Sequence, residues 1–211
     1  MVPRAGAGLS PFLLSLRSML LEKELDALRV ELSVKAKNGL DFVLAASVVW
    51  AASMLVWALP GTPVQKGFLT FFIGGLTLPL AWGLSKAFGT VWALPHNPLQ
   101  PLGLWLNVAQ LFYFPFLLFT YSHQPAYFIM TYGIITGAHF FPYAWFYFAR
   151  PYAVMAGVIA GGCWLIGVRT ATTAPYAVPA FATGALLVLA LLLLRSYRRR
   201  QQAQVVADLG A

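Results

Sequence analysis

The sequence predicts an all-α, polytopic transmembrane helix bundle, with six spans preceded by an amphipathic cytoplasmic helix. Three observations carry that prediction. Of 211 residues, 60% are hydrophobic and only 9% charged, with a mean hydropathy of +0.73. A soluble domain needs about a quarter of its residues charged to cover its surface, and so apolar a chain cannot stay solvated as a disordered one. No acid lies between Phe42 and Ala207, and the only basic residues between Phe42 and Leu194 are Lys66, Lys86, Arg150 and Arg169. The apolar stretches between these cations are each close to the roughly 20 residues that cross a ~30 Å hydrocarbon core. None alternates polar and apolar residues as membrane strands do.

Residues 1–40 form the first unit. Ser10-Pro11 is an N-cap and first helical position, and Asn38-Gly39 a stop. Leu21, Leu25, Leu28 and Leu32 repeat at helical spacing, and Glu31 with Lys35 makes an i,i+4 pair. The result is an interfacial helix. Arg17 interrupts the early apolar run and no small-residue cleavage site follows, so it is not read as a signal peptide.

Residues 41–194 hold six spans: 41–59, opened by Asp41 as N-cap, then 68–88, 103–120, 126–148, 151–168 and 176–194. Breakers mark the joins at Leu59-Pro60-Gly61, Pro95-His96-Asn97-Pro98, Gln124-Pro125, Arg150-Pro151 and Ala174-Pro175. Pro79, Pro115, Pro142 and Pro179 fall inside spans and are expected to kink them. Residues 195–211 form a basic tail whose Arg195, Arg198, Arg199 and Arg200 suit anionic lipid. With six spans both termini share one side, which then collects twelve basic residues against Lys66 and Arg169 on the other. The positive-inside rule places both termini in the cytoplasm. The formal charge of +8 is thus a topology signal rather than a nucleic-acid footprint.

Catalytic chemistry finds little material. Cys163 is alone, which removes disulfides and CxxC motifs. His96 and His123 fall on opposite sides of the bilayer, and His139 lies about 24 Å along the helix from His123. No shared metal ion is expected, and no cofactor is called for. The absence of intramembrane carboxylates also disfavours a carboxylate-driven antiporter.

The most specific feature is in the fourth span. Tyr132, Thr136, His139, Tyr143 and Tyr147 recur at spacings of four, three, four and four, which puts them on one helical face. Arg150 continues the stripe. Asn107 and Gln110 of the third span, Thr77 of the second and Ser47 of the first reach comparable depths. Two readings stand side by side: a polar pocket centred on His139, or a stripe in which every group is satisfied by neighbouring helices. Gly133 with Gly137, and Ala153 with Gly157 and Gly161, are small-residue ladders for close helix packing within or between chains.

Glu31-Leu-Ser-Val-Lys-Ala-Lys-Asn-Gly-Leu40, Asn107-Val-Ala-Gln-Leu-Phe-Tyr-Phe-Pro115 and Ile135-Thr-Gly-Ala-His-Phe-Phe-Pro-Tyr143 resemble a family of small six-span bacterial membrane proteins of unknown function. The resemblance runs from about Leu28 to Val168 and implies fold and bacterial membrane location, but no activity. Its motifs fall on Asn107, Gln110, His139 and Tyr143.

The expected function is binding or passage of a small or lipophilic ligand through a pocket open to the cytoplasm. Its residues are His139, Tyr143, Thr136, Tyr132, Asn107, Gln110 and Arg150. The alternatives are a structural or accessory subunit docking on a membrane partner or a second copy through the glycine ladders, and, more weakly, an intramembrane enzyme using His139 and Tyr143. The bilayer is the one partner the composition demands.

Overall fold

The computed structural model describes residues 11–209, and these are helical without strands. The expected N-cap Ser10 lies outside the described residues. In chain order the helices are α1 (Pro11–Lys35), α2 (Leu40–Ala58), α3 (Pro63–Gly75), α4 (Thr77–Phe88), α5 (Gln100–Ala109), α6 (Phe114–His123), α7 (Phe128–Phe146), α8 (Pro151–Thr170) and α9 (Ala177–Leu209). Five stretches are long and apolar enough to cross a membrane: Lys37–Ala58, Pro63–Phe88, Gln100–His123, Pro151–Thr170 and Ala177–Ala203. These helices are those of a membrane protein. The 19-residue α7 is not among the five, because its Tyr, Thr and His residues dilute its apolar content.

Proline placement explains why two of these stretches are broken. The second stretch is interrupted at Leu76, between α3 and α4, three residues before Pro79. The proline ring would clash with the carbonyl four residues back, at Gly75, so the chain restarts its helix with Pro79 in the first turn. In the third stretch Pro115 sits at the start of α6, and the preceding Gln110–Tyr113 tightens to a 3₁₀ turn. Pro179 likewise falls in the first turn of α9. Of the four prolines expected to kink spans, only Pro142 lies in a helix interior, that of α7.

The core forms where α2, α7, α8 and α9 pack together, with Trp50, Trp57, Ile159, Leu186 and Leu189 almost wholly buried. Glycine sets the closest approach. A Cβ on Gly137 would lie 2.5 Å from the backbone nitrogen of Ala160, and one on Gly133 would lie 2.6 Å from the Cys163 sulfur. α7 and α8 therefore touch along the Gly133–Gly137 ladder. Gly157 and Gly161 do not share that role. A Cβ at either position meets nothing within 4 Å, so this ladder faces outward on α8.

A polar layer closes one end of the bundle. Lys37, Asn38 and Gly39 all have positive φ (47°, 57° and 69°) and turn the chain sharply from α1 into α2. Such a conformation costs a non-glycine residue about 1 kcal/mol or more, and the buried Asn38 side chain offsets it. Its Oδ1 accepts from Ser33 Oγ (2.6 Å), its Nδ2 donates to the Leu193 carbonyl (3.1 Å), and its own carbonyl accepts from the Tyr152 hydroxyl (2.7 Å). Where α7 ends, Arg29 donates to the Trp145 carbonyl and Arg200 to those of Tyr147 and Phe148. α9 continues as helix through the basic stretch expected to be a tail, and this extension brings Arg200 there.

Two sequence expectations change in this layer. Asp41 is not the N-cap of α2. Gly39 holds that position, and Asp41, the second residue of the helix and buried, ties down the segment after α4. Its Oδ2 accepts from Thr90 Oγ1 (2.8 Å) and Trp92 Nε1 (2.6 Å). Glu31 keeps a favourable charge interaction with the expected Lys35, but its close contacts are elsewhere: it meets His96 Nε2 at 2.6 Å and accepts from Asn97 Nδ2 at 2.8 Å. The His96 hydrogen bond first, and that from Asn97 second, hold the Glu31 carboxyl below the usual glutamate range. α1 is thereby fastened to the α4–α5 connection.

Candidate functional site

A cavity of about 740 Å³ lies between the core and the α3–α6 arm. α2 and α7 form its inner wall, α4 and α5 its outer wall, and the α1–α2 turn with the Trp92 segment its polar end. The volume arises from how the outer wall is held. α5 and α6 touch α7 at few places, and one of these is the close contact of Gly103 with the Phe146 ring, 2.9 Å from a would-be Cβ.

Six of the seven expected pocket residues line this cavity: Tyr132, Thr136, His139 and Tyr143 from α7, Asn107 from α5, and Gln110 from the 3₁₀ turn between α5 and α6. Thr77 of α4 joins them. Arg150 does not. Phe148 adopts φ 51°, which turns the chain at the α7–α8 corner, and Arg150 emerges exposed as the residue preceding α8. Ser47 is also absent from the lining. It is buried and donates to the Val43 carbonyl of its own helix (2.8 Å).

The polar groups form a graded surface rather than a closed relay. Tyr143 Oη and His139 Nε2 lie 3.5 Å apart, at the long limit of a hydrogen bond. Thr77 Oγ1 donates to Gly74 O (2.8 Å) and Asn107 Nδ2 to Gly103 O (2.8 Å), each inside its own segment. Asn107 is therefore tied to its own helix and contributes this bond to no neighbour. Tyr132 stacks on Trp50 (5.1 Å between centroids) and turns its hydroxyl to Gly74, where the absence of a side chain admits it. The wall between the polar groups is aromatic and aliphatic, as in pockets that take small apolar molecules and orient them with a few polar atoms.

Sequence reasoning missed the polar end of the cavity. Tyr152, Asp41, Trp92 and Gln100 line it there, beside Tyr147 of the α7 stripe. Tyr143, Tyr147 and Tyr152 pack within about 6 Å of one another, centroid to centroid. Tyr152 stands five residues past Tyr147 across the Arg150-Pro151 corner, so no helical period connects the two. The other histidines lie elsewhere: His96 on the α4–α5 connection against Glu31, and His123 at the end of α6, stacked on Phe119 at 4.4 Å. Among the described residues no three His, Cys, Asp or Glu side chains meet in a metal-holding group.

The conserved-sequence model of a family of unknown function (DUF7010) matches residues 25–196, most of the chain. The chain belongs to that family. The match takes in the lower half of α1, every helix lining the cavity, and α9 as far as Ser196. It adds no ligand or activity. No curated protein and no solved structure matches the chain.

Proposed function

We propose that this family member is a six-span protein of a bacterial cytoplasmic membrane that binds or passes a small lipophilic ligand through the α7 cavity. In this reading α7 is a span as well, the fourth in chain order, and brings the number to six, its polar stripe turned from lipid toward the cavity. Both termini are cytoplasmic, as the twelve-to-two distribution of basic residues suggests. The polar layer around α1 then lies at the cytoplasmic surface. One observation carries the proposal: polar side chains from α4, α5, the following 3₁₀ turn and α7 converge on one cavity whose wall is otherwise mostly apolar away from its polar end. Were the stripe only packing, neighbouring side chains would fill that space, because helix interfaces are close-packed.

Triphenylphosphine oxide, a neutral lipophile with one strong acceptor, tests this reading. Saturable one-site binding to protein in nanodiscs is expected, weakened about tenfold in His139→Ala by loss of a donor in an apolar site. Unchanged affinity in a folded His139→Ala and Thr136→Val double variant, or no saturable binding at all, would contradict the pocket.

The outward ladder supports a second reading, of an accessory subunit. Gly157 and Gly161 face open space beside exposed Val154, Val158 and Trp164. A dimer in mild detergent that dissociates in Gly157→Leu supports docking through α8. A wild-type monomer counts against it.

A further inference from the structure

We propose that the ligand of this cavity carries a positive charge, a lipophilic organic cation whose charge is met by Asp41 and its surrounding aromatic rings. The proposal rests on the pocket reading and names the chemical class that the pocket selects.

Asp41 is the only acid between Glu31 and Asp208, it is 1% exposed, and it lines the cavity at its polar end. Its donors are all neutral: the Phe42 backbone N–H (3.0 Å), the Thr90 hydroxyl and the Trp92 indole N–H. Among the described residues no Lys, Arg or His nitrogen lies within 4 Å of it. The basic groups around this end are engaged elsewhere. Lys37 donates to the Phe88 carbonyl and lies over Tyr197, Lys86 lies over Trp82, and Arg29 and Arg200 hold the end of α7. A buried carboxylate left without a countercharge is costly, and a cation that enters beside it recovers that cost.

The walls suit the same ligand. Phe42 and Trp92 stack at 4.8 Å next to the carboxylate, and Phe146, Tyr147 and Tyr152 line the same end of the cavity. Aromatic faces attract organic cations, and attract them more strongly where water is excluded. No Lys or Arg side chain is among the residues lining the cavity, so nothing there repels a cation or replaces it. An anionic ligand would face Asp41 without a basic partner.

The test compares tetraphenylphosphonium with neutral triphenylphosphine oxide by equilibrium binding to the full chain in nanodiscs. Wild type is expected to bind the cation at least about tenfold more tightly, from Coulomb attraction together with cation–π contacts. Asp41→Asn keeps a side chain of the same shape. It is expected to lose that preference, so that the ratio of cation to neutral-probe affinity falls at least about tenfold. Equal affinity of wild type for both probes overturns the charge proposal and leaves the pocket standing. Binding of neither overturns both. A folded Asp41→Asn that retains the cation preference assigns Asp41 solely to holding Thr90 and Trp92, and also overturns the proposal.

Discussion

Core helices α2, α8 and α9 and the two stretches of the arm are all apolar enough to cross a membrane, but they are differently packed. In the apolar windows of α2, α8 and α9, 50%, 33% and 44% of residues are buried, whereas α3–α4 reaches 17% and α5–α6 only 6%. In water such an arm would collapse onto the core. In a bilayer, lipid solvates an apolar helix as well as another helix does, so only close packing and polar contacts hold it in place. The core has both, in the Gly133–Gly137 approach to α8 and the Asn38 hydrogen bonds. The arm packs on the core through α4, which lies along α2, and is tied by Trp57 Nε1 to Thr70 Oγ1 (3.0 Å) and by Asp41 to Trp92. Between those fixings the cavity remains. Apolarity places helices in the membrane, and close contacts decide which of them form a core.

The comparison is broken most strongly where the core is tightest. Gly137→Leu must force α7 from the α8 backbone, costing about 3 kcal/mol or more of stability. Gly157→Leu, on the open face, is expected to lose nothing, and thermal unfolding in detergent measures both. Equal losses would erase the distinction between the two ladders.

Trp57→Ala removes a buried ring and its bond to Thr70, the main fixing of α3. A loss of about 3 kcal/mol is expected from large-to-small truncation. Proteolysis should become faster in the arm before it does in α7–α9. Gly103→Ala is milder. The Phe146 ring can give by a few tenths of an ångström, so a loss of about 1 kcal/mol is expected, with α5 shifted outward.

The smallest effect concerns the latch. The Glu31 carboxyl is held below its ordinary value near 4.5, so its contribution is fully present above that value. It is lost as pH falls through the lowered value of the folded state. The pair is partly exposed, which limits the effect to under about 1 kcal/mol. Glu31→Gln should flatten the acid limb of the stability–pH curve, and an unchanged limb would remove Glu31 from the latch.

Helical class was legible from composition, and so was the α7 stripe, because helical period alone determines a shared face. What a face meets was not. Gly133–Gly137 and Gly157–Gly161 read alike as spacings, yet one abuts the Ala160 backbone and the other faces outward. The prolines were visible as kinks, but the restart of each helix around Pro79 and Pro115 depended on the carbonyl four residues earlier. Asp41 reads as a cap because caps are local. Its partners Thr90 and Trp92 lie 49 and 51 residues away, beyond any sequence period. Arg150 follows the α7 spacing, but the left-handed Phe148 ends that helix first.

Thr136 and Ser47 are small, buried hydroxyl residues on core helices, and only Thr136 lines the cavity. Cysteines placed at each position, in chains retaining the buried Cys163, can be exposed in membrane vesicles to methanethiosulfonate ethylammonium from the side carrying the termini. The account predicts that Thr136→Cys is labelled and is protected by tetraphenylphosphonium, while Ser47→Cys stays at the background of Cys163. Thr136→Cys as unreactive as Ser47→Cys, or labelled but never protected, would contradict a ligand cavity between the core and the arm.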